Sequence, residues 1–302
     1  MEHNHGHEGH DHHAHSHQLD FEHGNRNAFL IGIGLNVAFV IIEVIAGLWY
    51  NSISLLTDAG HNLSDVASLV LSLVAFWMAK KKSSPAFTYG YKKTTILAAL
   101  CNAVILLVAV IILGYESFHR LFTPAVVEGG KMAWVAAAGI VVNAVSALVF
   151  YRQKEKELNA KSAYLHLMAD ALVSLGVVIG GIVIVYTKWY WLDPVIGLVI
   201  MVVILVGTWG LLRDSFKLAI DAVPSGIKLE DVKKVITDFP EVAGVTHVHV
   251  WPISTTENAL TAHVALTDSL DFDQKLAVIE KIRHALMHNN IQHSTIELQK
   301  YN

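Results

Sequence analysis

The sequence predicts an all-α membrane domain of six helices followed by a small cytoplasmic α+β domain. Three observations carry that prediction. Hydrophobic residues make up 53% of the 302 positions and charged residues only 16%, with a mean hydropathy of +0.45, too apolar for a soluble domain of this size. Six apolar segments follow one another, each near the ~20 residues that cross ~30 Å of hydrocarbon. After Arg213 the long apolar runs give way to short amphipathic patterns.

The first 26 residues hold nine histidines among Glu, Asp, Asn and Gly, with too little apolar content to bury, so a disordered tail is expected. Two readings fit it: a native metal-capturing tail, favoured by the irregular interleaving, or an expression tag. A secretory signal would need a basic region followed by an apolar one, and neither is visible. Residues 27–213 form the expected membrane domain, with spans near 27–49, 55–79, 94–116, 132–151, 162–187 and 193–212. Lysine and arginine crowd one set of flanks (Arg26, Lys80–Lys82, Lys92, Lys93, Arg152, Lys154, Lys156, Lys161, Arg213, Lys217), whereas the other has Arg120, Lys131 and Lys188. The positive-inside rule then makes both termini cytoplasmic, with Trp49, Tyr50, Trp189, Tyr190 and Trp191 as the outer aromatic belt.

Residues 214–302 read as the soluble domain. "IKLEDVKKVITDF" (227–239) has helical spacing, and "GVTHVHVWPI" (244–253) and "ALTAHVALT" (259–267) alternate like strands around "STTEN". A second helix at 272–289 and a last strand at 294–299 complete an α-β-β-α-β order, ferredoxin-like or metallochaperone-like, expected as an antiparallel sheet backed by helices. The single cysteine, Cys101, excludes an internal disulfide and a thiolate zinc site, and a net charge of −4 gives no electrostatic case for nucleic acid.

Ionisable residues inside the bilayer are the informative exceptions, since each costs at least ~2.5 kcal/mol at mid-membrane. "LLTDAGHNLSD" (55–65) and "YLHLMADALVS" (164–174) each carry a His-x-x-x-Asp pair. Residues four apart differ by about 40° and ~6 Å of rise, so His61 shares a stripe with Asp65, and His166 with Asp170. The second and fifth spans run antiparallel, which sets His61 level with Asp170 and Asp65 level with His166. Two imidazoles and two carboxylates suit Zn²⁺, whereas Ca²⁺ or Mg²⁺ would ask for more oxygens. The alternative is polar helix packing, which asparagine or serine would serve at less risk. Asp58, one turn outward from His61, reads either as a relay at the outer mouth or as an interfacial residue wetted by the vestibule. Glu43 and Glu116 stay unassigned, and Asn36, Asn102 and Asn143 read as interhelical hydrogen-bond formers.

"SLLTDAGHNLSD" (54–65), "FTYGYKKTTILAALCNAVIL" (87–106), "HLMADALVSLGVVIGG" (166–181), "WLDPVIGLVI" (191–200) and "VHVW" (248–251) resemble the cation diffusion facilitator family of divalent-metal/proton antiporters. The resemblance runs from about residue 27 to the C-terminus. It implies six spans, a cytoplasmic α+β domain, a homodimer, and efflux of Zn²⁺ against protons, with His61, Asp65, His166 and Asp170 as the transport site. Histidine at position 61 resembles the zinc-preferring members. Where family members often show "HD" upstream of "HVW", this chain has Thr246 and His247.

Metal binding needs neutral histidine and ionised aspartate, so protons and metal compete, and alternating access would couple the two. No resident cofactor is expected: Zn²⁺ is substrate and candidate regulatory ligand, protons are counter-ions, and Cd²⁺, Co²⁺ and Ni²⁺ are further candidate substrates. The expected location is a bacterial inner (plasma) membrane. His247, His249, His263 and Glu297 form a candidate regulatory metal cluster in the soluble domain, against the alternative of ordinary surface and core histidines. His284 and His288 read as a solvated stripe. Two other classes compete: a membrane-bound metal sensor, which would not need mid-membrane ligands, and an intramembrane metallohydrolase, which would keep an open coordination position for water.

Overall fold

The computed structural model describes residues 26–151, 158–267 and 270–300. The histidine-rich tail lies outside the described residues. Six long helices come first: α1 (Arg26–Trp49), α2 (Ile53–Ala79), α3 (Thr94–Phe122), α4 (Gly129–Tyr151), α5 (Leu158–Thr187) and α6 (Leu192–Ala219). Over the described residues α2 to α6 are each long and apolar enough to cross a membrane, and α1 carries a shorter apolar run over Gly34–Trp49. Helix α6 continues through Arg213 to Ala219, so the chain leaves the bundle as unbroken helix.

Small residues decide how closely the helices pack. In lipid there is no hydrophobic force between apolar helices, so association relies on close backbone approach. Helices α4 and α5 pair along most of their length, and at Gly129 and Gly181 a Cβ on either would meet the other's carbonyl oxygen at 2.6 Å. Helices α3 and α6 form another extensive pair, whereas α2 and α5 touch over a short stretch only.

Asp193, fully buried at the start of α6, ties down the start of α2. Its carboxylate accepts from Ser52 Oγ (2.7 Å), Ile53 N (2.7 Å), Ser54 N (3.2 Å) and Ser54 Oγ (2.5 Å). The first N–H groups of a helix have no intrahelical partner and carry the positive end of its dipole, so a carboxylate there is doubly favoured. Ser52 also caps α2 by accepting from Leu55 N.

The soluble domain contains α7 (Leu229–Thr237), β1 (Val242–Pro252), β2 (Asn258–Leu266), α8 (Phe272–His288) and β3 (His293–Gln299). The sheet order is β1-β2-β3, with β1 and β2 antiparallel and β2 and β3 parallel. The expectation of an antiparallel sheet is therefore corrected to a mixed one. The reason is α8: a helix crossing between neighbouring strands returns the chain to the same end, which makes the second strand parallel to the first. Val248, Val250, Leu260 and Val264 of the sheet pack with Ile236 of α7 and Ile282 and Leu286 of α8. Asp271 and Gln274 close a capping box at the start of α8.

The α2–α3 connection rests on this domain. Lys92 Nζ meets Glu257 Oε2 at 2.5 Å and Lys93 Nζ meets Asp221 Oδ1 at 2.6 Å. Thr255 N donates to Thr95 Oγ1 at 3.1 Å.

Candidate metal centre

Helix α2 presents His61 and Asp65 one turn apart, and α5 presents His166 and Asp170 likewise. The antiparallel approach crosses the pairs: His61 Nε2 lies 3.3 Å from Asp170 Oδ1, and His166 Nε2 lies 3.0 Å from Asp65 Oδ2. Within each helix the separations are 3.8 Å (His61–Asp65) and 3.6 Å (His166–Asp170). The imidazole rings stand edge to face, 5.8 Å apart at 82°. Among the described residues this is the one group of three or more His, Cys, Asp or Glu gathered at metal-ligand spacing, and its four ligand atoms all lie within 4.8 Å of one another.

A tetrahedral site with Zn–N and Zn–O bonds of about 2.0–2.1 Å has edges of roughly 3.3–3.4 Å. Four of the six edges, the nitrogen–oxygen separations, straddle that value and need shifts of a few tenths of an ångström, and the group as a whole, spread over up to 4.8 Å, has to draw in further around a zinc-sized ion. Two carboxylates balance a divalent charge, while Ca²⁺ would want six to eight oxygens that the group does not supply.

The group is more open at one end. The side chains of Asp65 and His166 are each 37% exposed, against 17% for His61 and 7% for Asp170. Asp65 and His166 lie toward the end of the bundle that bears the soluble domain. Beyond His61 and Asp170, at the opposite end, Leu55, Ala59 and Ser174 are fully buried, so that side is packed closed. Asp58 belongs to that closure. It is fully buried and accepts from Ser174 Oγ at 3.1 Å, so its reading as a residue wetted at the outer mouth is corrected: α2 begins at Ile53, which sets Asp58 more than a turn inside the helix.

Sequence reasoning left Glu43 unassigned, although it proves fully buried in α1 and accepts from Asn62 Nδ2, beside His61, at 3.1 Å. A glutamate in the middle of an apolar run was the available signal. Asp193, within "WLDPVIGLVI", carries no mark in the sequence of its tie to the start of α2. Asn102 and Asn143 are buried, with Asn102 Oδ1 and Asn143 Nδ2 lacking partners. Glu116 pairs with Arg120 at 2.7 Å near the end of α3.

In the soluble domain His263 neighbours two of the other candidates, though the set is not gathered at metal-ligand spacing. The His247 and His263 rings are 4.8 Å apart, and His263 Nε2 lies 3.5 Å from Glu297 Oε2 across the β2–β3 pairing. His263 Nδ1 is also engaged by Gln299 Nε2 at 2.6 Å. His249 pairs instead with Thr261. The ladder slips between Thr246 and His249, where His247 takes φ 48°, so a bulge separates the two histidines that strict alternation would have put on one face.

The comparisons with known proteins agree with this geometry. Residues 29–218 match the cation efflux transmembrane domain, and residues 224–301 match the cytoplasmic domain of cation efflux proteins. The chain belongs to the cation efflux family. That is the cation diffusion facilitator family, zinc type, which the sequence motifs resembled, and it is a family of transporters rather than enzymes. Similar curated proteins include the zinc transporter ZitB of Escherichia coli (strain K12), 34% identical over 281 residues, covering 92% of this chain and 88% of that protein. The cadmium, cobalt and zinc/H(+)-K(+) antiporter of Bacillus subtilis (strain 168) is 32% identical over 280 residues, covering 92% and 90%. The cation efflux system protein CzcD of Alcaligenes sp. (strain CT14) is 33% identical over 281 residues, covering 93% and 88%.

Proposed function

We propose that this cation efflux protein exports Zn²⁺ from the cytoplasm in exchange for protons, carrying the ion by alternating access on His61, Asp65, His166 and Asp170. The observation that supports it is the four-ligand group itself, two nitrogens and two oxygens inside a membrane domain, all within 4.8 Å of one another. The exposure of Asp65 and His166 against the burial of Asp170 corresponds to a site open toward the soluble-domain side, ready to load. Closure there and opening at the Asp58 end would release the metal. The empty ligands then take up protons, because neutral imidazole and ionised carboxylate are the metal-binding forms.

The chain divides, in this reading, into a histidine-rich cytoplasmic tail (1–26) that captures metal, a transport domain (27–213), and a cytoplasmic domain (214–302) that joins two copies into a homodimer. Both termini face the cytoplasm of a bacterial inner membrane. Cd²⁺ and Co²⁺ share the site, in keeping with the metals for which the Bacillus subtilis relative is named, and Ni²⁺ fits the same nitrogen and oxygen donors. His247, His263 and Glu297 form a weaker regulatory metal surface, with His249 outside it. Proteoliposomes with an imposed pH gradient test the reading ion by ion, Zn²⁺ first. A His61→Ala, Asp65→Ala double variant loses transport, and residual zinc flux at the wild-type rate overturns the assignment.

A further inference from the structure

One turn outward from His61, two acidic side chains are enclosed together. Glu43 of α1 and Asp58 of α2 are fully buried, and their carboxyl groups lie within hydrogen-bonding reach of each other. Asn62 Nδ2 donates to Glu43 Oε2 and Ser174 Oγ donates to Asp58 Oδ2, each at 3.1 Å. The other two oxygens, Glu43 Oε1 and Asp58 Oδ1, are buried and receive no hydrogen bond. Neither residue belongs to the four-ligand group.

Two ionised carboxylates in contact repel one another, and away from water nothing offsets that repulsion or the missing hydrogen bonds. A single proton on the pair removes both defects. It cancels one charge and turns one carboxyl group into a donor for the other. The surroundings favour a proton over a metal ion. Asn62 and Ser174 offer the pair N–H and O–H donors, whereas a hard cation needs a shell of oxygen lone pairs. The ionisable neighbours are His61 on α2 and Asp170 on α5. Helix α4, packed on α1, carries only Lys131 and Tyr151, at its two ends, and α3 and α6 keep their charged residues within the first turn or the last two turns.

We propose that Glu43 and Asp58 form a proton-binding carboxyl pair, distinct from the metal ligands, that shares one proton while the metal site is empty and releases it when a divalent cation binds one turn away. A doubly positive ion beside the pair favours its fully ionised form, so metal and proton exchange without competing for the same atoms. The proton leaves to water through the end at which the metal entered. The inference rests on the proton-coupled reading above and adds an exchangeable proton to those carried by the ligands themselves.

Infrared difference spectra of purified protein, zinc-free minus zinc-loaded, read the carbonyl stretch of a protonated carboxyl. The wild type shows a band that disappears on zinc binding, and Glu43→Gln and Asp58→Asn each lack it. Full retention of the band in both variants overturns the proposal. Glu43→Gln is isosteric with the protonated acid and still offers Asp58 a donor, so the helix contact survives. Protons released per zinc bound, measured in weakly buffered detergent solution, fall by about one in both variants and stay at the wild-type count in Glu43→Asp. An unchanged count in Glu43→Gln and Asp58→Asn overturns the pair while leaving the metal site intact. Zinc flux in vesicles that ignores the pH gradient overturns the antiport reading instead, and the infrared band still supports the pair.

Discussion

Asp170→Asn separates the charge of one ligand from its shape. Asp170 is the most enclosed of the four proposed ligands and faces both imidazoles, with Oδ1 3.3 Å from His61 Nε2 and Oδ2 3.6 Å from His166 Nε2. A four-ligand zinc site contributes about 10–16 kcal/mol of binding free energy, so one ligand accounts for roughly 2.5–4 kcal/mol, or about 10²- to 10³-fold in Kd. Asparagine keeps an oxygen in place as a weak neutral ligand, which puts the expected loss near the lower end, roughly 10²-fold. Competition against a chromophoric zinc chelator in detergent measures it. Thermal unfolding of the metal-free protein should barely change, because the two side chains are isosteric. A Kd within about threefold of wild type would refute the reasoning, since 0.6 kcal/mol is too little for a charged inner ligand.

Zinc affinity is expected to rise with pH, with a slope of roughly one to two in log affinity per pH unit while the imidazoles are losing their protons; an affinity flat between pH 5.5 and 8 would contradict a histidine-ligated site. Asp193→Ala leaves Ile53 N and Ser54 N without the carboxylate that now accepts from them. At about 1–3 kcal/mol per orphaned buried donor, the loss is roughly 3 kcal/mol and the unfolding midpoint falls by ~6–12 °C. A midpoint within a degree or two of wild type would show that water satisfies those groups. Gly181→Leu puts a side chain where a Cβ already meets Gly129 O at 2.6 Å and Ala133 Cβ at 2.9 Å. Neither backbone can yield cheaply, so about 1–3 kcal/mol of stability is lost, whereas Gly176→Leu, with nothing within 4 Å of its Cβ, is neutral by the same thermal assay.

The grouping of the four candidate ligands was legible because charge in hydrocarbon is costly and helical spacing is strict. Two His-x-x-x-Asp pairs on antiparallel spans leave few arrangements, and the crossed contacts of His61 with Asp170 and His166 with Asp65 follow from direction alone. Features that depend on register or on neighbours were not legible. Nothing in "GVTHVHVW" marks the bulge at His247, because histidine tolerates positive φ without the glycine that would signal it. The contact of Glu43 with Asp58 joins residues on different helices with no shared motif. The extension of α6 past Arg213 leaves no mark in the hydropathy, which falls at the first basic residue, although arginine and lysine prolong a helix readily once outside the bilayer.

Helix α6 has 28 residues and is anchored at both ends, by Asp193 on the start of α2 and by the chain running into the soluble domain. At 1.5 Å per residue it is a rod of about 42 Å, and a pivot of ~5° at its inner end sweeps the far tip through roughly 4 Å. The hydrogen bond from Ser52 to Asp193 spans only 2.7 Å, so α2 has to follow that sweep or let go. A tilt of α6 at the end that bears the α+β domain would therefore be carried, amplified, to the far end of the bundle, where Ser52 and Asp193 join it to the helix that bears His61 and Asp65.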